Sequence, residues 1–193
     1  MTNKLLRAIR KGGNGGFTLI EALVAVLILT TGIAGPLTIA SKSLTSALVA
    51  KDQTTAFFLA QDAVEYVRFV RDSNKLAGAD WFTGAGGTSA GTDMSSCRSA
   101  DGSAVCYVDS IQNTVTNSVP SGCSNYLRYN ASQGYYGYGT SGTACTIFNR
   151  TVKITSPVGG RSDEAKLVVQ VSWNDTGGTT RMVTVTEELF NWQ

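Results

Sequence analysis

The chain has 193 residues, a formal net charge of +2, 16% charged residues, 21 glycines, four cysteines and no histidine. Lack of histidine excludes His-based catalytic triads and mixed Cys/His zinc sites, and low charge with an even cysteine count fits an exported chain rather than a cytosolic enzyme. Basic residues crowd the start: Lys4, Arg7, Arg10 and Lys11 with no acid before residue 17, against 12 basic and 14 acidic residues after it. A chain basic only at its start is not expected to have nucleic acid as its primary partner.

From Phe17 to Ser41 the chain is apolar over 25 residues apart from one charge, Glu21. A run of about 20 apolar residues is long enough to cross a bilayer as a helix. The basic flank lies on its N-terminal side, which orients residues 1–16 to the cytoplasm and the rest outward. An ordinary secretory signal is the alternative, with a small-residue cleavage site near Ile39–Ser41. Glu21 argues against it. An ionised acid in mid-bilayer costs about 2.5–3.5 kcal/mol, and neither a signal peptide nor a simple anchor has use for one.

The junction reads Gly12-Gly13-Asn14-Gly15-Gly16, then Phe17-Thr18-Leu19-Ile20-Glu21. It resembles the signature of the type IV pilin and pseudopilin superfamily: a short basic leader ending in Gly, an aromatic residue, a polar one, two aliphatics and Glu. The resemblance implies cleavage between Gly16 and Phe17 by a prepilin peptidase and N-methylation of the new Phe17 amine. It also implies that Glu21 pairs with the Phe17 amine of a neighbouring subunit during assembly. Opposite charges about 4 Å apart at an effective dielectric near 20 attract by about 4 kcal/mol. That offsets burial of the acid and sets an axial register. In this reading Phe17 and Glu21 are assembly residues.

Gly32, Gly35 and Pro36 fall within five residues in the distal half of the apolar helix. Pro36 removes the hydrogen bond to Gly32. Membrane helices tolerate such breakers as kinks; the family resemblance implies instead local melting in the filament. Beyond Pro36, Leu44, Leu48, Phe58, Leu59, Ala63, Tyr66, Val67 and Val70 recur mostly at three- and four-residue steps, a helical period. With no Gly or Pro from 37 to 77 and Gly78 as the first breaker, the pattern predicts one helix from about Thr18 to about Ser73, kinked near Pro36, about 80 Å long. Its second half is expected to lay one face on a sheet. The Ala60–Asn74 segment resembles the stalk helix of minor pilins.

Residues 76–149 hold 11 glycines, all four cysteines and six charges, with Gly84–Thr92 a flexible loop. Cys97, Cys106, Cys123 and Cys145 include no C-x-x-C pair, which argues against a zinc ribbon or a redox pair and for two disulfides. Of the three pairings four cysteines allow, the shortest loops join Cys97 to Cys106 and Cys123 to Cys145; the other two stay open. Three alternating runs follow, Thr146–Ile154, Leu167–Trp173 and Met182–Thr186, read as strands. Asn174–Gly178 joins the last two as a hairpin turn, with a calcium site through Asp175 as the minor alternative. The final strand, ending Leu189-Phe190-Asn191-Trp192, resembles the C-terminal sheet of minor pilins. Tyr126, Tyr129, Tyr135, Tyr136 and Tyr138 lie close in sequence to Arg128. They read either as packing residues or as a ligand surface for bases or sugars.

The expected fold is therefore α+β. Residues 1–16 are a removed leader, 17–41 a membrane-spanning assembly helix, 42–75 an amphipathic stalk, and 76–193 an exported, disulfide-stapled head built on an antiparallel sheet. The resemblance implies a structural subunit, most like a minor pilin, of a type IV pilus or related filament. Its partners would be the prepilin peptidase, other pilins, and the inner-membrane assembly platform with its ATPase. It would sit in the inner membrane with the head exported, then at the cell surface. No catalytic constellation and no cofactor are expected. The alternatives are a pseudopilin of type II secretion or DNA uptake, and an anchored or filament-tip module that binds a surface or DNA.

Overall fold

The computed structural model describes residues 16–84, 93–140 and 143–191. Residues 1–15 of the expected leader, the Gly84–Thr92 loop beyond Gly84, and Trp192 lie outside the described residues. The chain divides into two compact units, Met1–Ala47 and Leu48–Gln193. One helix, α1 (Leu19–Leu76), contributes to both.

Helix α1 begins at a side-chain cap. Thr18 precedes it and its Oγ1 accepts the Glu21 backbone N–H (3.3 Å), three residues on, the spacing of a capping box. Helical structure then continues through Pro36. Melting at Gly32–Pro36, implied for the filament, is absent from the single chain. Proline forfeits one backbone bond there, a local cost of about 3 kcal/mol, and the i→i−4 ladder resumes on either side. Flanking hydroxyls turn back onto the helix, Thr31 to Leu27 O (2.9 Å) and Thr38 to Ala34 O (2.8 Å). The helix ends where Gly78 was expected to break it, three residues later than the periodicity suggested. Gly78 adopts φ +69°, its N–H donates to Lys75 O (2.9 Å), and the Ala79 N–H donates to Asn74 O (3.0 Å). This is a Schellman end, which needs a residue free to enter the left-handed region.

Within Leu48–Gln193, α1 buries Ala56, Leu59, Ala60, Ala63, Val64, Tyr66, Val67 and Val70. Three alanines in this face let the helix backbone come close to the sheet. Phe58 corrects the sequence pattern: it is 67% exposed. It lies one residue, about 100° of helix turn, before buried Leu59, and so points off the core axis.

After α1 come a 3-10 turn (Ser95–Cys97) and the strands β1 (Arg98–Ser99), β2 (Tyr107–Asp109), β3 (Thr114–Thr116), β4 (Tyr126–Asn130), β5 (Tyr135–Gly137), β6 (Thr143–Thr155), β7 (Glu164–Asn174) and β8 (Thr180–Phe190). The main sheet runs β5-β4-β6-β7-β8, antiparallel throughout, with β1 alongside β6 in parallel. Strands β2 and β3 form a separate hairpin, tied to β6 by the Cys106–Val152 bridge. Alternation fixes which face meets the helix. Phe148, Arg150, Val152 and Ile154 of β6 and Ala165, Leu167, Val169, Val171 and Trp173 of β7 are buried, and the intervening residues are more exposed. The β7–β8 turn has the predicted form: Asp175 Oδ1 accepts the N–H of Gly177 (3.0 Å) and Thr179 (2.9 Å), and Gly178 takes φ +77°.

Two disulfides join Cys97 to Cys106 and Cys123 to Cys145, the short-loop pairs. The second crosses 22 residues and ties the segment before β4 to β6. Replacing Cys123 and Cys145 together by serine is expected to lower stability by about 2–4 kcal/mol. Denaturant unfolding of the full chain in detergent, oxidised wild type against the variant, measures it.

Candidate functional site

Phe17 and Glu21, the residues expected to carry assembly, sit at the start of α1. Phe17 is 80% exposed, and Glu21 occupies the third helical position. There the carboxylate favours the unsatisfied N–H groups of the first turn and the positive end of the helix dipole. The same placement puts it one turn from residue 17, where cleavage would free an amine. Thr18, the polar residue of the junction, caps the helix that carries Glu21. Its signal was present, because Thr18-Leu19-Ile20-Glu21 carries the Thr-x-x-Glu capping spacing.

Among the described residues, α1 is the helix long and apolar enough to cross a membrane, and none of its most apolar stretch is buried in the protein. Leu19, Ile20, Leu23, Val26, Leu27, Ile28, Leu29 and Ile33 all stay exposed. A Cβ at Gly32 or Gly35 would meet nothing within 4 Å. This much bare apolar surface is unfavourable in water and calls for lipid or other helices around it.

The tyrosines do not form a single surface. Strand alternation puts Tyr129 opposite Tyr136 and Arg128 opposite Gly137, so Arg128 and Tyr129 project to different faces. Tyr129 and Tyr136 pack with centroids 4.9 Å apart and rings tilted by 46°, and Tyr136 continues edge-on to Phe148. Arg128 reaches Thr143 Oγ1 (3.4 Å), and Tyr135 Oη lies 3.4 Å from Asn130 Nδ2. Tyr126 begins β4, half-buried and paired with Asn149. Tyr138 turns inward: its hydroxyl donates to Arg150 O (3.1 Å), and burial pushes its pKa well up.

The polar interior was not anticipated from sequence. Arg150 is fully buried. Its Nη1 donates to Leu59 O (2.9 Å) and pairs with Asp62 (2.5 Å), and its Nη2 donates to Val108 O (2.8 Å). Asp62 also accepts the Ser110 hydroxyl (2.9 Å). Asp109, buried as well, takes the N–H groups of Ile111, Gln112 and Tyr138. These groups pin α1, the β2–β3 turn and β6 together.

Tyr66 donates to Asn113 Oδ1 (3.0 Å), and burial, then the nearby Asp109 charge, pushes its pKa up to about 12. Both shifts favour the neutral phenol in the folded chain. The stability they contribute is complete below the ordinary tyrosine value near 10 and is lost as pH rises toward 12. Alkaline titration followed by phenolate absorbance should show Tyr66 and Tyr138 ionising after the other tyrosines, with unfolding; Tyr66→Phe should shallow that alkaline loss.

The family described as prokaryotic N-terminal methylation motif matches residues 11–35. No curated protein and no solved structure matches the chain. Motif, long apolar helix and C-terminal sheet head fit the type IV pilin and pseudopilin superfamily fold. They support a pilin-type structural subunit. Among the described residues no group of three or more His, Cys, Asp or Glu is placed to hold a metal, and Asp175 spends its carboxylate on its own turn and on Arg181 (2.9 Å).

Proposed function

We propose that the chain is a prepilin, cut between Gly16 and Phe17 by a prepilin peptidase, methylated at Phe17 and assembled into a type IV pilus or a related filament. The observation that carries this is Glu21, one turn into a capped helix whose apolar surface has no protein cover in the single chain. In the membrane that surface meets lipid; in a filament it meets other helices, and Glu21 meets a neighbour's Phe17 amine. Other pilins, the inner-membrane platform and its ATPase are the partners this reading requires. Tyr129 then serves the outside of the head, and Tyr136 and Tyr138 its packing.

Shearing cells tests the reading. A pilus subunit is expected in the released filaments, and its molar share there separates a main from a minor subunit. Recovery of the mature chain only with the envelope would instead support a short pseudopilus.

A further inference from the structure

Along α1, Leu48, Lys51, Thr55, Phe58, Asp62, Glu65 and Phe69 follow at alternating steps of three and four residues. A mean spacing of 3.5 keeps such a ridge on one side of a helix over three heptads, the pattern of helices that pair along their length. This ridge flanks the face on the sheet, and Asp62 within it still reaches buried Arg150. Leu48 and Phe69 are 51% and 60% exposed, as Phe58 is, while Ala56, Ala60, Ala63 and Val67 hold the core. Beside it Phe58, Leu59, Asp62, Ile111 and Tyr135 line an open, mainly apolar cleft of about 390 Å³.

Charge along the ridge is segregated. Lys51 lies toward the membrane end and makes no ion pair among the described residues; Asp62 and Glu65 lie three to four turns further out. Asp62 is already matched by buried Arg150, whereas Glu65 meets only Arg68 among the described residues, a half-buried side chain that Glu187 also engages. Two copies anchored by the same end in one membrane run parallel. In register they would set Lys51 against Lys51 and Glu65 against Glu65, a repulsive arrangement. Sliding one copy outward by two heptads, about 21 Å, brings its Lys51 beside the other's Glu65. Its Leu48 then comes level with Asp62, at the mouth of the cleft.

We propose that this ridge and cleft receive the stalk of a second copy of the chain, parallel and displaced by two heptads, with Lys51 against Glu65. The proposal rests on the filament reading above and adds a contact outside the membrane. An exposed ion pair is weak, so the charges set the register, and burial of Leu48 and Phe58 provides the attraction.

The native cysteines are all disulfide-bonded, so introduced thiols report alone. The expected result is an oxidative dimer between co-expressed Lys51→Cys and Glu65→Cys chains, and none with either variant expressed alone. Lys51→Glu should cut sheared filament at least tenfold, and Lys51→Glu with Glu65→Lys should restore it to within twofold. A dimer from Lys51→Cys alone would mean in-register packing and overturn the proposal. So would a cross-link only to a different protein, or no cross-link in cells that shed normal filaments; in that last case the filament reading stands. Loss of filaments with an uncut N-terminus would fail the filament reading itself, and this contact with it.

Discussion

Truncating Arg150 to alanine is expected to remove about 3–5 kcal/mol of stability from the unit Leu48–Gln193. The side chain is wholly buried and joins three elements: Leu59 O and Asp62 on α1, Val108 O on β2, and its own strand β6. Alanine would leave a void, an unmatched Val108 carbonyl and a carboxylate stripped of its partner. Asp62 has a side chain 42% exposed, so water can compensate it. Arg150 has no such recourse, and Asp62→Ala should therefore also be strongly destabilising, because it strands a buried cation. Arg150→Met, which fills the space without a charge, should cost less than Arg150→Ala. Combining Arg150→Met with Asp62→Ala should cost less than the sum of the single changes. Denaturant midpoints of the four chains in detergent, read as a double-mutant cycle, give the coupling.

Replacing Glu21 with glutamine is expected to reduce assembled filament by two to three orders of magnitude. An attraction of about 4 kcal/mol between Glu21 and a neighbour's amine corresponds to roughly a thousandfold in an equilibrium constant. Glutamine keeps the length and polarity of the side chain, and the Thr18 cap uses the backbone N–H of residue 21, so the helix start should survive. The measurement is the ratio of sheared filament to membrane-bound mature chain in wild type and variant. A variant that assembles normally would remove Glu21 from the assembly contact.

Legibility in the sequence followed the length of each signal. Strands β6, β7 and β8 alternate over 11 to 13 residues, and the sequence shows them. Strands β1 to β5 have two to five residues and sit among glycines, serines and disulfides, where no period can establish itself. The stalk period located the buried face but placed Phe58 on it, because a large apolar residue next to Leu59 satisfies a loose count of threes and fours while small Ala56 and Ala60 do the packing. Arg150 left a trace. It shares parity with Phe148, Val152 and Ile154, so a cation stood on the inward face of a strand whose alternation was already evident. Its partner, 88 residues away on the helix, is a tertiary fact that no local pattern carries. Sequence proximity grouped the tyrosines around Arg128, and pleating separated them.

At the N-terminus, the Gly16-Phe17 junction, the acid at position 21 and the uncovered helix all bear on one proposed event: removal of the leader with retention of the apolar segment. The mass of the N-terminal peptide from membrane-extracted chain tests that event most directly. A peptide beginning at Phe17 and carrying one N-methyl group is predicted. A mature chain beginning near Ile39–Ser41, or one that keeps its leader, would contradict it.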